Sequence, residues 1–337
     1  MRRRAGAGLA IALLVVGLLV YGVGWEAVLF NVGRANPLFL AAAFCAGAGM
    51  LVLRGYLVGR LLVPVSGSAR GVPFVSAFLA GYFARSTLPW GRSTGTPIMA
   101  YLLARHSESE FEDNLAVVAT AEVFGFIASV VVALVGLAMY TAAGETPQDM
   151  LLSLTLAGVG GLVAGGTLLA LVGRGTARTV LFALTARWEA IAVKVPRVPG
   201  GDGSLESRVE TFFDTLETVS AARRTLAVAF AIAVCSWLVN ALPLYFSLLA
   251  LGVDVPLSLA LACAPLASFG GIIPLPGGTG GIEVVLTGLL VAMAAVSGDI
   301  ATAATILYRL STYWLHVFVG GIGALSLSLA GHRLTPG

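Results

Sequence analysis

Long apolar stretches separated by short polar segments make up most of the sequence. A helix needs roughly 20 apolar residues to cross the hydrocarbon core of a bilayer. Stretches of about this length or more lie at 8–24, 37–63, 115–143, 150–172, 226–251 and 300–330. We predict that each forms a full transmembrane helix. Their close spacing predicts a single transmembrane domain that covers residues 1–337.

Two further apolar regions, 71–105 and 256–297, are each interrupted in the middle by glycine and proline. The first interruption reads Leu-Pro-x-Gly-x-x-Thr-Gly at 88–95, and the second contains Leu-Pro-x-Gly-Thr-Gly at 275–280. Broken helices of this kind are typical of transporter hairpins that end near the middle of the membrane. We predict two re-entrant helical hairpins, with two full helix pairs as the alternative. The likeness between the two breaks is the pattern expected of an inverted repeat, with a chance likeness of two short Gly/Pro-rich segments as the alternative.

The positions of the arginines predict the orientation, because short cytoplasmic loops collect arginine and lysine. Arginines precede the first stretch, follow the last one and fill the segment 174–224, which predicts cytoplasmic N- and C-termini. Arginines also lie at both ends of 71–105 and at neither end of 256–297, so the two hairpins are predicted to enter from opposite faces. The sequence thus predicts an all-α, multi-pass protein of the plasma membrane.

Segment 174–224 is the longest polar stretch and is predicted to be a cytoplasmic linker. Within it, apolar residues recur at helical spacing over 204–223, and the box Ser207-x-x-Glu210 is typical of a helix start. We therefore expect an amphipathic helix. Its acidic residues do not suit anionic lipid, so the helix is predicted to pack against the transmembrane bundle.

Composition excludes the other broad classes of protein. The chain is 58% hydrophobic and 11% charged, whereas soluble domains carry about 25% charged residues. The net charge of +3 is too small to indicate a nucleic-acid partner. The three cysteines lie inside apolar stretches without motif spacing, so we predict no disulfide and no metal site for them.

Motifs for enzyme chemistry are missing from the sequence. It contains no Gly-x-Ser-x-Gly elbow, no Gly-Lys-Ser/Thr ending to a glycine-rich loop, and only three histidines, without metal-ligand spacing. We predict a protein that is not an enzyme and that uses no cofactor.

Both breaks are candidates for anion binding. A loop of small residues before a helix start presents free N–H groups and the positive end of the helix dipole. The substrate-binding candidates there are Pro89, Arg92, Thr94 and Gly95 in the first break and Gly277, Gly278, Thr279 and Gly280 in the second. The alternative is that these glycines only permit tight turns and close helix packing.

Ionisable residues inside apolar stretches are further candidates, since each costs at least a few kcal/mol there. Arg85 and Arg309 are assigned to substrate binding, and Glu122 and Glu283 to a polar relay or a coupling proton. The alternative for these four residues is a structural ion pair or contact with the membrane interface. Arg54 and Arg60, near the end of their stretch, are predicted to extend to the interface. They are not assigned to the site.

At these positions the chain resembles the transmembrane region of lysylphosphatidylglycerol synthases and its stand-alone relatives. The resemblance is carried by residues 81–89, Gly95, residues 101–105, Glu122, Arg309, the pair Gly320-Gly321 and above all by Pro-Gly-Gly-Thr-Gly-Gly-Ile-Glu at 276–283. Two positions depart from the family pattern. Gly95 is followed by Thr96-Pro97 and not by an acid and an arginine, and Val123 stands where an arginine often follows the glutamate.

The resemblance implies lipid handling, because the related region of the synthases acts as a flippase for a modified phospholipid. We expect a lipid transporter for an anionic headgroup, with a membrane lipid as partner and no nucleic acid. The soluble aminoacyl-transfer domain is expected to be absent, so a separate lipid-modifying enzyme is a further candidate partner. The alternatives are a secondary transporter of a small soluble anion and a non-transporting accessory subunit. Nothing in the sequence predicts the oligomeric state.

Overall fold

Helices form all the regular secondary structure in the part of the chain that the computed structural model describes, residues 25–143, 160, 204–272 and 275–332. The α-helices are α1 (Trp25–Gly33), α2 (Pro37–Leu61), α3 (Gly71–Thr87), α4 (Gly91–Arg105), α5 (Phe111–Ala142), α6 (Ser204–Ala221), α7 (Arg223–Ala250), α8 (Leu257–Ala267), α9 (Gly281–Ala294), α10 (Gly298–Arg309) and α11 (Leu315–His332). Short 3-10 helices at Ser268–Ile272 and Pro276–Gly278 lie between α8 and α9, and a π-helical turn, Leu310–Trp314, joins α10 to α11.

Five described segments are long and apolar enough to cross a membrane, which makes this an all-α membrane protein. They are Pro37–Leu61, Phe111–Ala142, Arg223–Ala250, Pro276–Ala294 and Gly298–Leu327. Four of them coincide with predicted spans, and the fifth is the second arm of the predicted hairpin at 256–297. The predicted spans 8–24 and 150–172 lie outside the described residues.

Hydrogen bonds that involve loops and helix ends define the two ends of the helix bundle. At the first end, the Glu108 N–H donates to the Gly67 carbonyl at 2.9 Å, which joins the loop before α3 to the loop after α4. At the second end, the Asn36 N–H donates to the Ala250 carbonyl at 2.8 Å, and the Tyr140 hydroxyl donates to the Met293 carbonyl at 2.6 Å. The α3–α4 hairpin therefore begins and ends at the first end, and the α8–α9 hairpin at the second.

The hairpin helices are shorter than the helices that surround them. At 1.5 Å per residue, α3 and α4 reach about 25 and 22 Å, while α5 reaches about 48 Å. Helices α8 and α9, with 11 and 14 residues, reach only about 17 and 21 Å. Both α3 and α4 contact the 3-10 helix Pro276–Gly278, so the two breaks meet inside the bundle. The position of the hairpins relative to a bilayer stays a prediction.

The packing pairs follow the pattern that two related halves would give. Helices α2 and α7 pack along each other at the centre, α3 packs on α11, and α8 packs on α5. In two related halves, α2 would correspond to α7, α3 to α8, and α5 to α10–α11. Replacing each helix by its counterpart gives the same three packing pairs. Small residues permit the close contacts, since a Cβ at Gly47 of α2 would collide with the Ser311 carbonyl and one at Gly136 of α5 with the backbone of α8.

The breaks differ in length from those that the sequence predicted. The first spans only 88–90, because Trp90 takes a left-handed conformation (φ 51°) as N-cap and α4 resumes at Gly91. The second break begins earlier than expected, since α8 gives way to a 3-10 helix at Ser268. The second arm of the first hairpin is thus a helix of 15 residues that includes most of the predicted break.

Helix α6 occupies most of the region 204–223 that the sequence marked as amphipathic. Its buried residues Phe213 and Val219 face the bundle. Arg208 forms an ion pair with Glu112, and the Thr215 hydroxyl donates to Asp113, both on the first turn of α5. These contacts fix α6 to the first end of the bundle, beside the loop that follows the α3–α4 hairpin.

Candidate functional site

The two hairpin breaks and the α10–α11 helix enclose a cavity of about 140 Å³, which we call the central cavity. Its wall includes Ser86 and Gly91 from the first hairpin and Gly277 and Gly278 from the second. The Tyr313 hydroxyl donates to the Ser86 carbonyl at 3.2 Å and so ties the first break to the π-helical turn. The charged residues in its wall are Arg54, Arg85 and Arg309.

A smaller cavity of about 70 Å³, the side cavity, lies between α2, α3, α5 and α7. Its wall includes Glu122 and Phe126 of α5. Arg54, Tyr82, Arg85 and Trp237 line both cavities, so these four side chains form the wall between them.

Arg85 and Glu122 form an ion pair that connects the first hairpin to α5. Both side chains remain partly exposed toward the cavities. Arg85 sits in the last turn of α3, and a Cβ at Gly95 would come within about 2.6 Å of the Arg85 Cα. Gly95 therefore lets α4 pack directly against the backbone that carries Arg85.

Arg309 and Glu283 form a second ion pair, which is buried and connects α10 to the second hairpin. The Arg309 Nε donates to Glu283 Oε1 at 2.7 Å, and its Nη2 donates to the Gly277 carbonyl at 3.0 Å. The other oxygen of Glu283 accepts the Gly280 N–H at 2.7 Å, at the N-terminus of α9. Glu283 thus compensates both the arginine and the positive end of α9.

The arginine and the glutamate exchange places between these two ion pairs. In the first pair the hairpin carries the arginine, and the helix that follows the hairpin carries the glutamate. In the second pair the hairpin carries the glutamate, and the helix that follows it carries the arginine. Each pair links a hairpin to the next long helix. Movement of either hairpin would therefore either break its ion pair or move the partner helix with it.

Sequence reasoning did not assign Arg54 to the site, and the prediction that it extends to the interface was wrong. Arg54 lies two turns inside α2, and its Nη1 donates to the Tyr82 hydroxyl at 2.6 Å. Its guanidinium lies 5.6 Å from the centre of the Trp237 ring. Arg54 is seven residues before the last residue of α2, which places it about two turns from the helix end.

The predicted threonines and prolines of the breaks serve the turns themselves. The Thr94 hydroxyl donates to the Pro89 carbonyl at 3.0 Å, and the Thr279 hydroxyl donates to the Pro276 carbonyl at 2.6 Å. Each threonine therefore closes its own Leu-Pro turn. Arg92 lies in the first turn of α4, not in an open loop.

Gly277 needs its glycine identity for two reasons. Its φ is +59°, which disfavours other residues, and a Cβ there would overlap the ring of Tyr313. Gly278, with a φ of +66°, also lies in the wall of the central cavity. The second break thus packs so closely on the Tyr313 ring that a side chain does not fit at position 277.

The π-helical turn brings several polar side chains of one helix to the central cavity. Arg309, Thr312, Tyr313 and His316 all line it. The His316 Nε2 donates to the Gly47 carbonyl at 2.8 Å, which fixes α11 to α2. Turns of this type occur often at functional sites. Within the described ranges, no three His, Cys, Asp or Glu side chains lie close enough together to hold a metal ion.

The family described as "Lysylphosphatidylglycerol synthase TM region" matches residues 7–320. Two proteins of Methanothermobacter thermautotrophicus, each named "UPF0104 membrane protein", are 24% and 21% identical to this chain. The first match covers 94% of this chain and 92% of the relative, and the second covers 96% of each. Because the family match spans most of the sequence, the chain belongs to the family of the lysylphosphatidylglycerol synthase transmembrane region.

Proposed function

We propose that the protein is a non-enzymatic transporter that moves a lipid with an anionic headgroup between the leaflets of the plasma membrane. The observation that carries the proposal is the central cavity, where two broken hairpins meet and which arginines from α2, α3 and α10 line. Cations inside an apolar bundle are costly, and they mark substrate or ion pathways in membrane proteins. Three arginines around one cavity favour an anion as the substrate.

The size of the cavity supports a headgroup as the part of the lipid that enters. About 140 Å³ holds several water molecules of ~30 Å³ each, which suits a phosphate group but not a complete phospholipid. The acyl chains would stay in the surrounding hydrocarbon while the headgroup passes between the hairpins. Backbone that lines such a cavity can leave the helical conformation because water or substrate satisfies its polar groups.

The ion pairs provide charged groups that can take part in transport. The pair Arg85–Glu122 stands between the two cavities and is partly exposed, so a headgroup can reach it from either cavity. Glu122 or Glu283 would take up a proton if transport is coupled to one. The family supports lipid as the substrate, and the site geometry supports the anion.

Reconstituted vesicles test the proposal. Purified protein in liposomes should speed the transfer of a fluorescent phosphatidylglycerol between leaflets, measured by quenching the outer leaflet with dithionite. Arg85→Ala should abolish the protein-dependent rate without lowering the yield of folded protein. The matched control is Arg105→Ala, an exposed arginine at the end of α4. An equal loss of rate and folded yield in Arg85→Ala would indicate a structural role for Arg85.

The second candidate is a transporter of a small soluble anion, which the small volume of the central cavity also fits. It predicts uptake of inorganic phosphate into the same vesicles, with no protein-dependent lipid transfer. The third candidate, an accessory subunit, predicts neither activity and a stable complex with a lipid-modifying enzyme. These outcomes distinguish the three candidate functions in one preparation.

A further inference from the structure

We propose that Arg54 is the residue that binds the phosphate group of the substrate, an assignment that rests on the proposed lipid transport. Three independent features of Arg54 support this role: its place, its charge and its free hydrogen-bonding capacity. Its charge and its free donors distinguish Arg54 from the other two arginines of the central cavity, and its place on α2 distinguishes it from Arg85 of α3, which also lines both cavities.

The place of Arg54 gives it access to both cavities. It sits on α2, which packs along α7 at the centre of the bundle, and its side chain forms part of the wall between the central and side cavities. A headgroup that enters from either cavity therefore meets the same guanidinium. No other arginine in the described part of the chain lies on the central helix pair and in this wall.

The charge of Arg54 is not compensated by the protein in the described residues. Arg85 is paired with Glu122, and Arg309 with Glu283. No described carboxylate forms an ion pair with Arg54. The three arginines of the cavity wall and the two glutamates paired with them therefore carry one net positive charge. An anionic phosphate would neutralise it without breaking either ion pair.

The hydrogen-bond donors of Arg54 are also largely available. A guanidinium has five N–H donors, and among the described residues Arg54 makes one hydrogen bond, to the Tyr82 hydroxyl. The neighbouring polar groups already donate within the protein: Tyr313 to Ser86, His316 to Gly47 and Thr312 to Tyr308. The guanidinium thus offers the planar fork of donors that suits a phosphate oxygen pair.

Two aromatic side chains hold the guanidinium in position while leaving its charge uncompensated. Its carbon lies 5.6 Å from the centre of the Trp237 ring and 5.9 Å from that of Tyr82. The Trp237 ring is itself fixed, because its Nε1 donates to the Gly125 carbonyl at 2.7 Å. Such contacts stabilise a cation less than a hydrogen-bonded ion pair in the same place would. The guanidinium is therefore oriented before a ligand arrives.

The test compares Arg54→Gln with wild type and with Arg105→Gln in detergent and in liposomes. The binding probe is glycerol 3-phosphate, followed by the thermal stabilisation of the purified protein. The transport probes are fluorescent phosphatidylglycerol transfer and radiolabelled inorganic phosphate uptake. Arg54→Lys, which keeps the charge but loses the fork, distinguishes the need for charge from the need for geometry.

We expect Arg54→Gln to lose the stabilisation by glycerol 3-phosphate and to transfer lipid at least tenfold more slowly. It should unfold at the same denaturant concentration as wild type, because the lost contacts with Tyr82 and Trp237 are offset by removal of a lone charge. Arg105→Gln should match wild type in every assay. Arg54→Lys should keep part of the binding.

Other outcomes overturn the assignment of Arg54, the proposed lipid transport, or both. If Arg54→Gln binds and transports like wild type, Arg54 is not the phosphate site, and the proposed lipid transport stands. If wild type takes up phosphate through Arg54 but moves no lipid, Arg54 binds free phosphate and the lipid proposal fails. If folded wild type neither binds nor transports any of these probes, both proposals are wrong.

Discussion

Neutralising Glu283 should destabilise the protein far more than neutralising Glu122. Both variants, Glu283→Gln and Glu122→Gln, remove one carboxylate from an arginine and leave the shape of the side chain nearly unchanged. The difference lies in burial. The side chains of Glu283 and Arg309 are 6% and 9% exposed, whereas those of Glu122 and Arg85 are 30% and 18% exposed.

The expected magnitudes follow from that difference. Removing one partner of a buried ion pair costs about 3–5 kcal/mol, because the remaining charge is left without compensation. Glu283→Gln also weakens the bond to the Gly280 N–H at the start of α9. An exposed pair contributes about 1 kcal/mol or less. Glu122 lies between these limits and nearer the lower one, because its side chain is partly exposed at the side cavity. We therefore expect losses of ~3–5 kcal/mol for Glu283→Gln and ~1–2 kcal/mol for Glu122→Gln.

Reversible unfolding in mixed micelles measures the two losses, with dodecyl sulfate as the denaturant and far-ultraviolet circular dichroism as the signal. The double variant Glu283→Gln with Arg309→Met should recover most of the loss, since it removes the lone charge as well. A loss for Glu283→Gln no larger than that for Glu122→Gln would refute the argument from burial.

Two further predictions concern the second break and the topology. Gly277→Ala should reduce folded yield and transport, because the new Cβ would overlap Tyr313, whereas Gly288→Ala, with open space around it, should behave like wild type in thermal unfolding. In a variant without the native cysteines, an impermeant thiol reagent applied to whole cells should label Asp254→Cys, and it should label Glu108→Cys only after permeabilisation. Labelling of both cysteines from one side would contradict the predicted opposite entry of the hairpins.

Much of the fold could be predicted from the sequence because membrane spans depend on simple composition. Apolar stretches of sufficient length located α2, α5 and α7, and glycine with proline located both breaks. The bounds of the breaks were less predictable. Trp90 adopts a left-handed conformation that its residue type does not indicate, so the start of α4 at Gly91 could not be read from the pattern.

The sequence predicted individual residues of the candidate site but not how they are arranged in space. Arg85, Glu122, Glu283 and Arg309 stood out as charges in apolar stretches, yet periodicity does not say which of them meet. The partners are 37 and 26 residues apart on separate helices. Arg54 was missed because arginines near the end of an apolar stretch commonly extend to the interface. Only the packing of α2 on α7 shows that its side chain lies in the wall between two cavities.

Photo-crosslinking tests most directly whether a lipid headgroup occupies the central cavity. A phosphatidylglycerol with a diazirine in its headgroup would be mixed with the protein in liposomes, irradiated, and located by peptide mass spectrometry. We predict adducts on the segments that line the cavity, at 275–282 and 308–316. Adducts confined to side chains on the outer surface of the bundle, such as Phe318 and Leu325, would contradict the proposed entry of the headgroup.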